Sequence, residues 1–273
     1  MSIDVPVNAL PSRKFKLMIV YIVAIFIVMY LLFFFLDLSP DSVFIDFRFV
    51  ADLAQQMFPP NIALFWRSSL FVSLIETLSM AFLGTVCGGG IALLLAFFAA
   101  TNTTPHPLVR LAVRTLLAME RSIPQLIVIL VLLIAVGIGP FAGVLTLAIG
   151  SVGMYGKFFA DSIEQADKAI IESVDSVGST RLQTIRFAVL PQAMPSFVAN
   201  LFYAFDHNLR AAIPLGIFGG GGIGFELEFA RGLLHYKDVL AYTILIVVMI
   251  TVMERISDWA RRSIITQPQL VTR

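Results

Sequence analysis

Leu70 to Ala99 reads LFVSLIETLSMAFLGTVCGGGIALLLAFFA, an apolar run with no proline and no stretch of loop composition. At about 1.5 Å of rise per residue, crossing a bilayer core of roughly 30 Å takes about 20 apolar residues. This run therefore satisfies the length of a membrane-spanning helix. The whole chain bears the same mark: 58% of its 273 residues are hydrophobic and 14% are charged. A soluble domain of this length could not hide so much apolar surface behind so few charges, so lipid is part of the solvent. Working outward, five further stretches pass the same ruler: Leu17 to Leu36, Leu111 to Val136, Phe141 to Phe159, Ser196 to Leu215 and Asp238 to Ala260. The expectation is an all-α, polytopic membrane protein with about six transmembrane helices. Residues 1–69 form a tail, a first span and an external loop; residues 70–265 form a five-span core with a long connection at about 156–195; residues 266–273 form a tail.

Arg13, Lys14 and Lys16 before the first run resemble the start of a signal peptide. That run is too long for a signal core and no small-residue cleavage site follows it, so it reads as a retained span. Six spans put both termini on one side. Lys and Arg resist translocation, and fourteen of the nineteen basic residues fall on the N-terminal side of the predicted topology. They are Arg13, Lys14, Lys16, Arg110, Arg114, Arg121, Lys157, Lys168, Arg181, Arg186, Arg255, Arg261, Arg262 and Arg273. Both termini are thus expected in the cytoplasm, with the chain in a bacterial inner membrane. The net charge of +1 gives no basic excess that would point to nucleic acid. Cys87, the single cysteine, excludes an internal disulfide and a cysteine-built metal site.

The first external loop holds Asp37, Asp41, Asp46 and Asp52, then Phe58, Pro59, Pro60, Phe65 and Trp66, a polar segment leading into an aromatic one suited to the outer interface. In the long fourth connection, Ile170, Ile171, Val174 and Val177 recur at helical spacing, with Lys168, Glu172 and Asp175 elsewhere. Gly178 ends that helix in a sharp turn. Thr180 and Gln183 fit a capping box that starts a second helix running to Leu190, with Pro191 marking the start of span five. Two short helices around a tight bend make a compact knob that a soluble partner could grip. The competing reading, an amphipathic helix lying on the bilayer, lacks the Lys/Arg-rich face such helices use.

In this connection Glu172, Gly178, Leu190 and Pro191 keep the spacing of the signature loop of bacterial binding-protein-dependent ABC importer permeases, which the chain resembles. It departs from the signature at Ser173, Val174 and Ala188. The resemblance implies a type I ABC importer permease fold, and it implies that Glu172, Ser173, Val174, Asp175 and Gly178, with Leu190 and Pro191, form the coupling element that docks on an ATPase. Two further stretches, Gly137 to Leu145 and Phe205 to Ala212 with Gly216 and Gly219 to Gly224, are similar to the phosphonate importer permeases, as is Phe58-Pro59-Pro60. The likeness covers most of the chain after residue 55, and permeases for phosphite and methionine share parts of it. It implies a homodimer of permeases, two cytoplasmic ATPase subunits that use ATP and Mg, and a periplasmic or extracellular lipid-anchored phosphonate-binding protein. The permease itself would bind no cofactor.

Arg210 is a cation inside a span, which is costly and faces protein or water instead of lipid. Asp206, one turn earlier, is placed to pair with it, with Asn208 and His207 nearby. Two readings stand: an ion pair that fixes span five, or a pathway residue that meets an anionic substrate. Gly219, Gly221, Gly222 and Gly224 satisfy G-x-G-x-x-G, but no βαβ context surrounds them and a dinucleotide site is rejected. A tight bend at an external gate or an ordinary loop remain. Gly84 and Gly88, and Gly150, Gly153 and Gly156, make small-residue faces for close helix packing. Pro124 is expected to kink span three. His106, His207 and His235 are scattered and no Walker loop is present, so no catalytic or metal set emerges. An ion-coupled secondary transporter would need intramembrane acids or broken helices in two related halves, and an intramembrane enzyme would need paired catalytic groups.

Overall fold

The computed structural model describes residues 13–36 and 47–265. Asp37, Asp41 and Asp46 of the external loop and both terminal tails, 1–12 and 266–273, lie outside them. The chain divides into two units between Gln55 and Gln56. In the first, α1 (Arg13–Phe35) has 23 residues, about 35 Å at helical rise, and its side chains lie open all round. A helix that is greasy on every face suits lipid. Across the boundary runs α2 (Phe47–Met57), which carries Phe47, Val50, Leu53 and Met57 on one stripe and Arg48, Asp52 and Gln55 on the other.

The second unit is a bundle of α3 (Ser68–Ala99), α4 (Pro107–Arg121), α5 (Gln125–Val136), α6 (Pro140–Glu164), α7 (Lys168–Ser176), α8 (Arg181–Thr184), α9 (Leu190–Leu215), α10 (Gly222–Gly232) and α11 (Tyr236–Ile265). The 3-10 turn Ile62–Trp66 precedes α3, capped by Asn61, whose Nδ2 also donates to Asp238 at 2.7 Å. Among the described residues there is no strand.

The most extensive helix pairing is α3 with α6. It rests on missing side chains: a Cβ at Gly84 would stand 2.5 Å from Leu147 Cβ, and one at Gly88 would stand 2.6 Å from Ser151 Cβ. The opposite face of α6 receives α4 and α5, since Gly150 lies against Gln125, Gly153 against Glu120 and Arg121, and Gly156 against Leu117. Both small-residue faces expected from the spacing are thus used, on two sides of one helix. At one end of α6, Tyr155 and Phe159 are fully buried and Phe159 meets Phe197 edge-on, with centroids 5.4 Å apart. Nearer the other end of the bundle, Leu64, Leu209, Ile223 and Ala241 close a second cluster that joins α9, α10 and α11.

The six expected spans are realised unevenly. Four helices are long and apolar enough to cross a membrane (α1, α3, α6 and α11), and five if α4 and α5 count as one broken span. Span three is not continuous: α4 and α5 meet at 86° across Ser122–Pro124, a stronger break than a kink. Pro124 supplies no N–H to bond back to the preceding turn. α5 has only 12 residues, about 18 Å. α9 is long enough at 26 residues. It carries Asp206, His207, Asn208 and Arg210, and α3, α6 and α11 pack around it. The fourth connection is shorter than 156–195, because α6 continues to Glu164 and α9 begins at Leu190.

Replacing Gly88 by Leu would drive a side chain into Ala148 and Ser151, and overpacking of this kind costs about 1–3 kcal/mol or more. The thermal midpoint of detergent-purified Gly88→Leu is expected to fall clearly below wild type. Gly90→Leu, at a position with open space, should keep it. Equal midpoints for the two variants would refute the close approach.

Candidate functional site

The connection between α6 and α9 folds as its sequence directs. Asp167 caps α7, its Oδ1 accepting from Ala169 N at 2.8 Å. Gly178 follows the helix with φ +78°, a left-handed conformation open to glycine. Thr180 N donates to Gln183 Oε1 at 2.7 Å, closing the capping box. Asp175 then accepts from the hydroxyls of Ser179 and Thr184, which locks the turn. The greasy stripe is split. Ile171 packs with Leu190 against the core around Phe159 and Val189, and Val174 is half-buried, whereas Ile170 stands open. Val177 is 82% exposed and Leu182 78%. Glu172, Ser173 and Pro191 are also exposed.

The second short helix does not stop before span five. α8 passes through a π turn at Ile185–Val189 directly into α9, with Pro191 in the first turn of α9. A proline tolerated in a first turn, after a π turn that already widens the backbone bonding, needs no break. The helical path therefore runs unbroken from α8 into α9. The projection is tied twice more: Asp167 N donates to Gln192 Oε1 at 2.9 Å, and the Arg181 guanidinium donates to the Thr104 carbonyl.

The polar residues of α9 point three ways. Asp206 and Arg210 do not pair with each other as the i, i+4 spacing led us to expect. Asp206 Oδ1 accepts from Ser257 at 2.7 Å and its Oδ2 lies 3.4 Å from Arg261, while Arg210 pairs with Glu254. Both ties run to α11, antiparallel to α9, where a residue on a neighbouring helix gives better geometry than one on the same helix face. Asn208, fully buried, turns the opposite way and its Nδ2 donates to Thr85 and Ser151, both at 2.9 Å. One side-chain amide thus joins α3, α6 and α9 beside the Gly88 contact. His207 is half-buried and takes part in neither set.

Beyond α9 the chain makes another π turn, Gly216–Gly220, and reverses into α10. Gly219, Gly221 and Gly222 have φ of +107°, +78° and +71°. Gly224 sits where a Cβ would meet the backbone of Ile213. The segment is a packed bend, with Gly219, Gly220, Gly222 and Gly224 all buried, so the ordinary-loop reading does not fit it. Its hydrogen bonds come from α3: Gly222 N donates to Glu76 Oε2 at 3.0 Å and Ile223 N to Thr77 Oγ1 at 2.9 Å. Glu76 and Thr77 thereby cap α10 from another helix, where a carboxylate also suits the positive end of the helix dipole. Sequence reading missed them, as it missed Glu254 and Thr85; the signal was there in Glu76 and Glu254 as carboxylates within apolar runs.

Long apolar helices with a structured knob at one end of α9 and a packed glycine bend at the other define a multi-pass helical membrane protein. The family model described as "Binding-protein-dependent transport system inner membrane component" matches residues 92–266, and the chain belongs to that family. It is 40% identical over 213 residues to the phosphite transport system permease protein PtxC of Stutzerimonas stutzeri, covering 78% of this chain and 77% of that one. It is 39% identical to the phosphate-import permease protein PhnE of Mycolicibacterium smegmatis, covering 83% of this chain but 42% of the relative. Among solved structures, a chain of the inward-facing MetNI methionine ABC transporter superposes with a TM-score of 0.64, at 19% identity, over 75% of this chain and 99% of that one. A bacterial alginate ABC transporter chain gives 0.63 at 18% identity, covering 90% and 96%. These structures share the fold, that of ABC importer permeases.

The α9–α11 pairing makes a charge-swap test direct. Arg210→Glu should place two carboxylates together and lower the yield of folded protein, and Arg210→Glu/Glu254→Arg should restore it, as double-mutant cycles reveal for contacting residues. Fluorescence-detected size exclusion checks this. If the double variant is no better than the single one, the two side chains are not partners.

Proposed function

We propose that this chain is the permease of an ATP-driven importer for phosphorus oxyanions of the phosphonate class, and that it forms half of the translocation pathway. The observation that carries the coupling reading is the α7–α8 projection, in which a hydrogen-bonded frame holds Val177 and Leu182 out in water. Exposed apolar side chains on a rigid frame are what a docking surface needs. Glu172, Ser173, Val174, Asp175 and Gly178 would meet the cytoplasmic ATPase, and the unbroken path through Leu190 and Pro191 would carry its movement into α9. The substrate class draws its support from the identity with the phosphite and phosphate permeases and from a third relative, the cryptic phosphonate permease PhnE2 of Escherichia coli, at 31% over 122 residues.

In this reading two copies build one path, two ATPase subunits use ATP and Mg, and a binding protein at the outer face delivers the substrate. The chain lies in the inner membrane with both termini in the cytoplasm. Asp206, Asn208 and Arg210 set the position of α9 against its neighbours, and the bend at Gly219, Gly221, Gly222 and Gly224 acts as the external gate. Closure of the ATPases pulls on the projection, α9 moves with it, and the bend changes its seat against Glu76 and Thr77.

Uptake of a labelled phosphonate into cells with and without the gene, at fixed partner levels, tests the substrate. Suppression by unlabelled phosphonates alone is expected; suppression by phosphite, phosphate or methionine would move the substrate, and no gene-dependent uptake would overturn the assignment.

Gly178→Pro tests the coupling. Proline cannot adopt φ +78° and removes the N–H that donates to Asp175 O at 3.0 Å. The ATPase should no longer copurify and uptake should fall to background while the folded permease remains. Copurification at the wild-type level would remove the projection from the interface.

A further inference from the structure

A cavity of about 250 Å³ opens between the end of α3, α4 and α6, apart from the coupling projection and the bend. Its floor is apolar, with Leu117, Ala118 and Ala160, and its rim carries Arg114, Arg121 and Lys157 with Asp161. Arg114 is already occupied: its Nη2 lies 2.5 Å from Glu164 Oε1 and its Nε donates to the Ala99 carbonyl at 2.8 Å. Arg121 is exposed and makes no ion pair within 4 Å among the described residues, although Glu120, which with the Arg121 stem lies against Gly153 on α6, is close enough to attract it. Among the described residues Lys157 makes no ion pair within 4 Å, not even with Asp161 one turn along α6. Two exposed cations thus border an apolar hollow.

The setting of α4 says what could fill it. α4 turns 86° away from α5, so the two helices cannot both run along the bilayer normal. α4 has the composition of an interfacial helix, with Leu108, Leu111, Leu116 and Met119 open and Arg110, Arg114 and Arg121 along it. The charge pattern puts this end of the bundle at the cytoplasmic leaflet, whose anionic lipids are drawn to basic pockets between membrane helices.

We propose that this cavity binds a phosphate group, with Arg121 and Lys157 on its oxygens. The apolar floor fits the glycerol and first methylenes of an anionic phospholipid, and the same cations could take free phosphate. The choice of leaflet rests on the topology given under Proposed function; the site itself does not.

The full chain is reconstituted in phosphatidylcholine discs with and without phosphatidylglycerol, and inorganic phosphate is added to a separate sample of the discs that lack phosphatidylglycerol. Native mass spectrometry of the released protein and its thermal midpoint are read for wild type, Arg121→Gln/Lys157→Gln, and Lys237→Gln, which removes an exposed cation predicted to lie on the opposite side of the membrane. Retained phosphatidylglycerol and a raised midpoint are expected, with retention about a hundredfold weaker in the double variant, the scale of two charged hydrogen bonds, and unchanged in Lys237→Gln. A midpoint raised by inorganic phosphate and lost in the double variant would assign the site to the free anion. No response to either phosphatidylglycerol or inorganic phosphate, or equal retention in all three proteins, would overturn the proposal. None of these readouts requires transport, so they stand apart from the uptake experiment.

Discussion

Backbone contact between α3 and α6 through Gly84 and Gly88 is the constraint on which the rest of the bundle depends. Between helices surrounded by lipid there is little hydrophobic gain to be had, and association relies on close packing and on polar groups that find partners. The two glycines bring α3 against Leu147, Ala148 and Ser151. That proximity lets Asn208 reach Thr85 and Ser151 together. A larger residue at Gly88 would push apart the helices that supply both acceptors. α6, with a second row of glycines behind it, becomes the central helix to which α4 and α5 also attach.

The same economy governs the charged residues. Water is unavailable within the hydrocarbon layer, so each buried polar group must be met from inside the protein. Asp206 finds α11, Asn208 finds α3 and α6, and the first N–H groups of α10 find Glu76 and Thr77, while the exposed Arg210 pairs with Glu254 on α11. Nearly every such bond crosses between helices. The polar residues of α9 thus fix its rotation and its height relative to three neighbours. The π turn between α8 and α9 adds to this by keeping the projection in register with the span.

At both ends of α9 the backbone departs from regular α-helix, by a π turn at Ile185–Val189 and another at Gly216–Gly220. The stretch between them is the part pinned by side-chain bonds. At Gly216–Gly220 the departure redirects the chain into α10, whereas at Ile185–Val189 it carries α8 into α9 without a break.

Much of this was legible in the residues themselves. Apolar runs measured the helices, the capping box and Gly178 drew the projection, Pro124 located the break, and the spaced glycines named the faces that pack. These are properties of one segment and its own periodicity, and elementary geometry reads them from a single chain. What remained open was the rotation and depth of each helix against the others. Spacing put Asp206 and Arg210 within reach of each other, yet each took a partner on α11; Glu76 lay hidden in an apolar run until the fold carried it to the start of α10. The i, i+4 rule describes neighbours on one helix, while a buried charge takes the best partner in space, and that partner is decided only when the helices are packed.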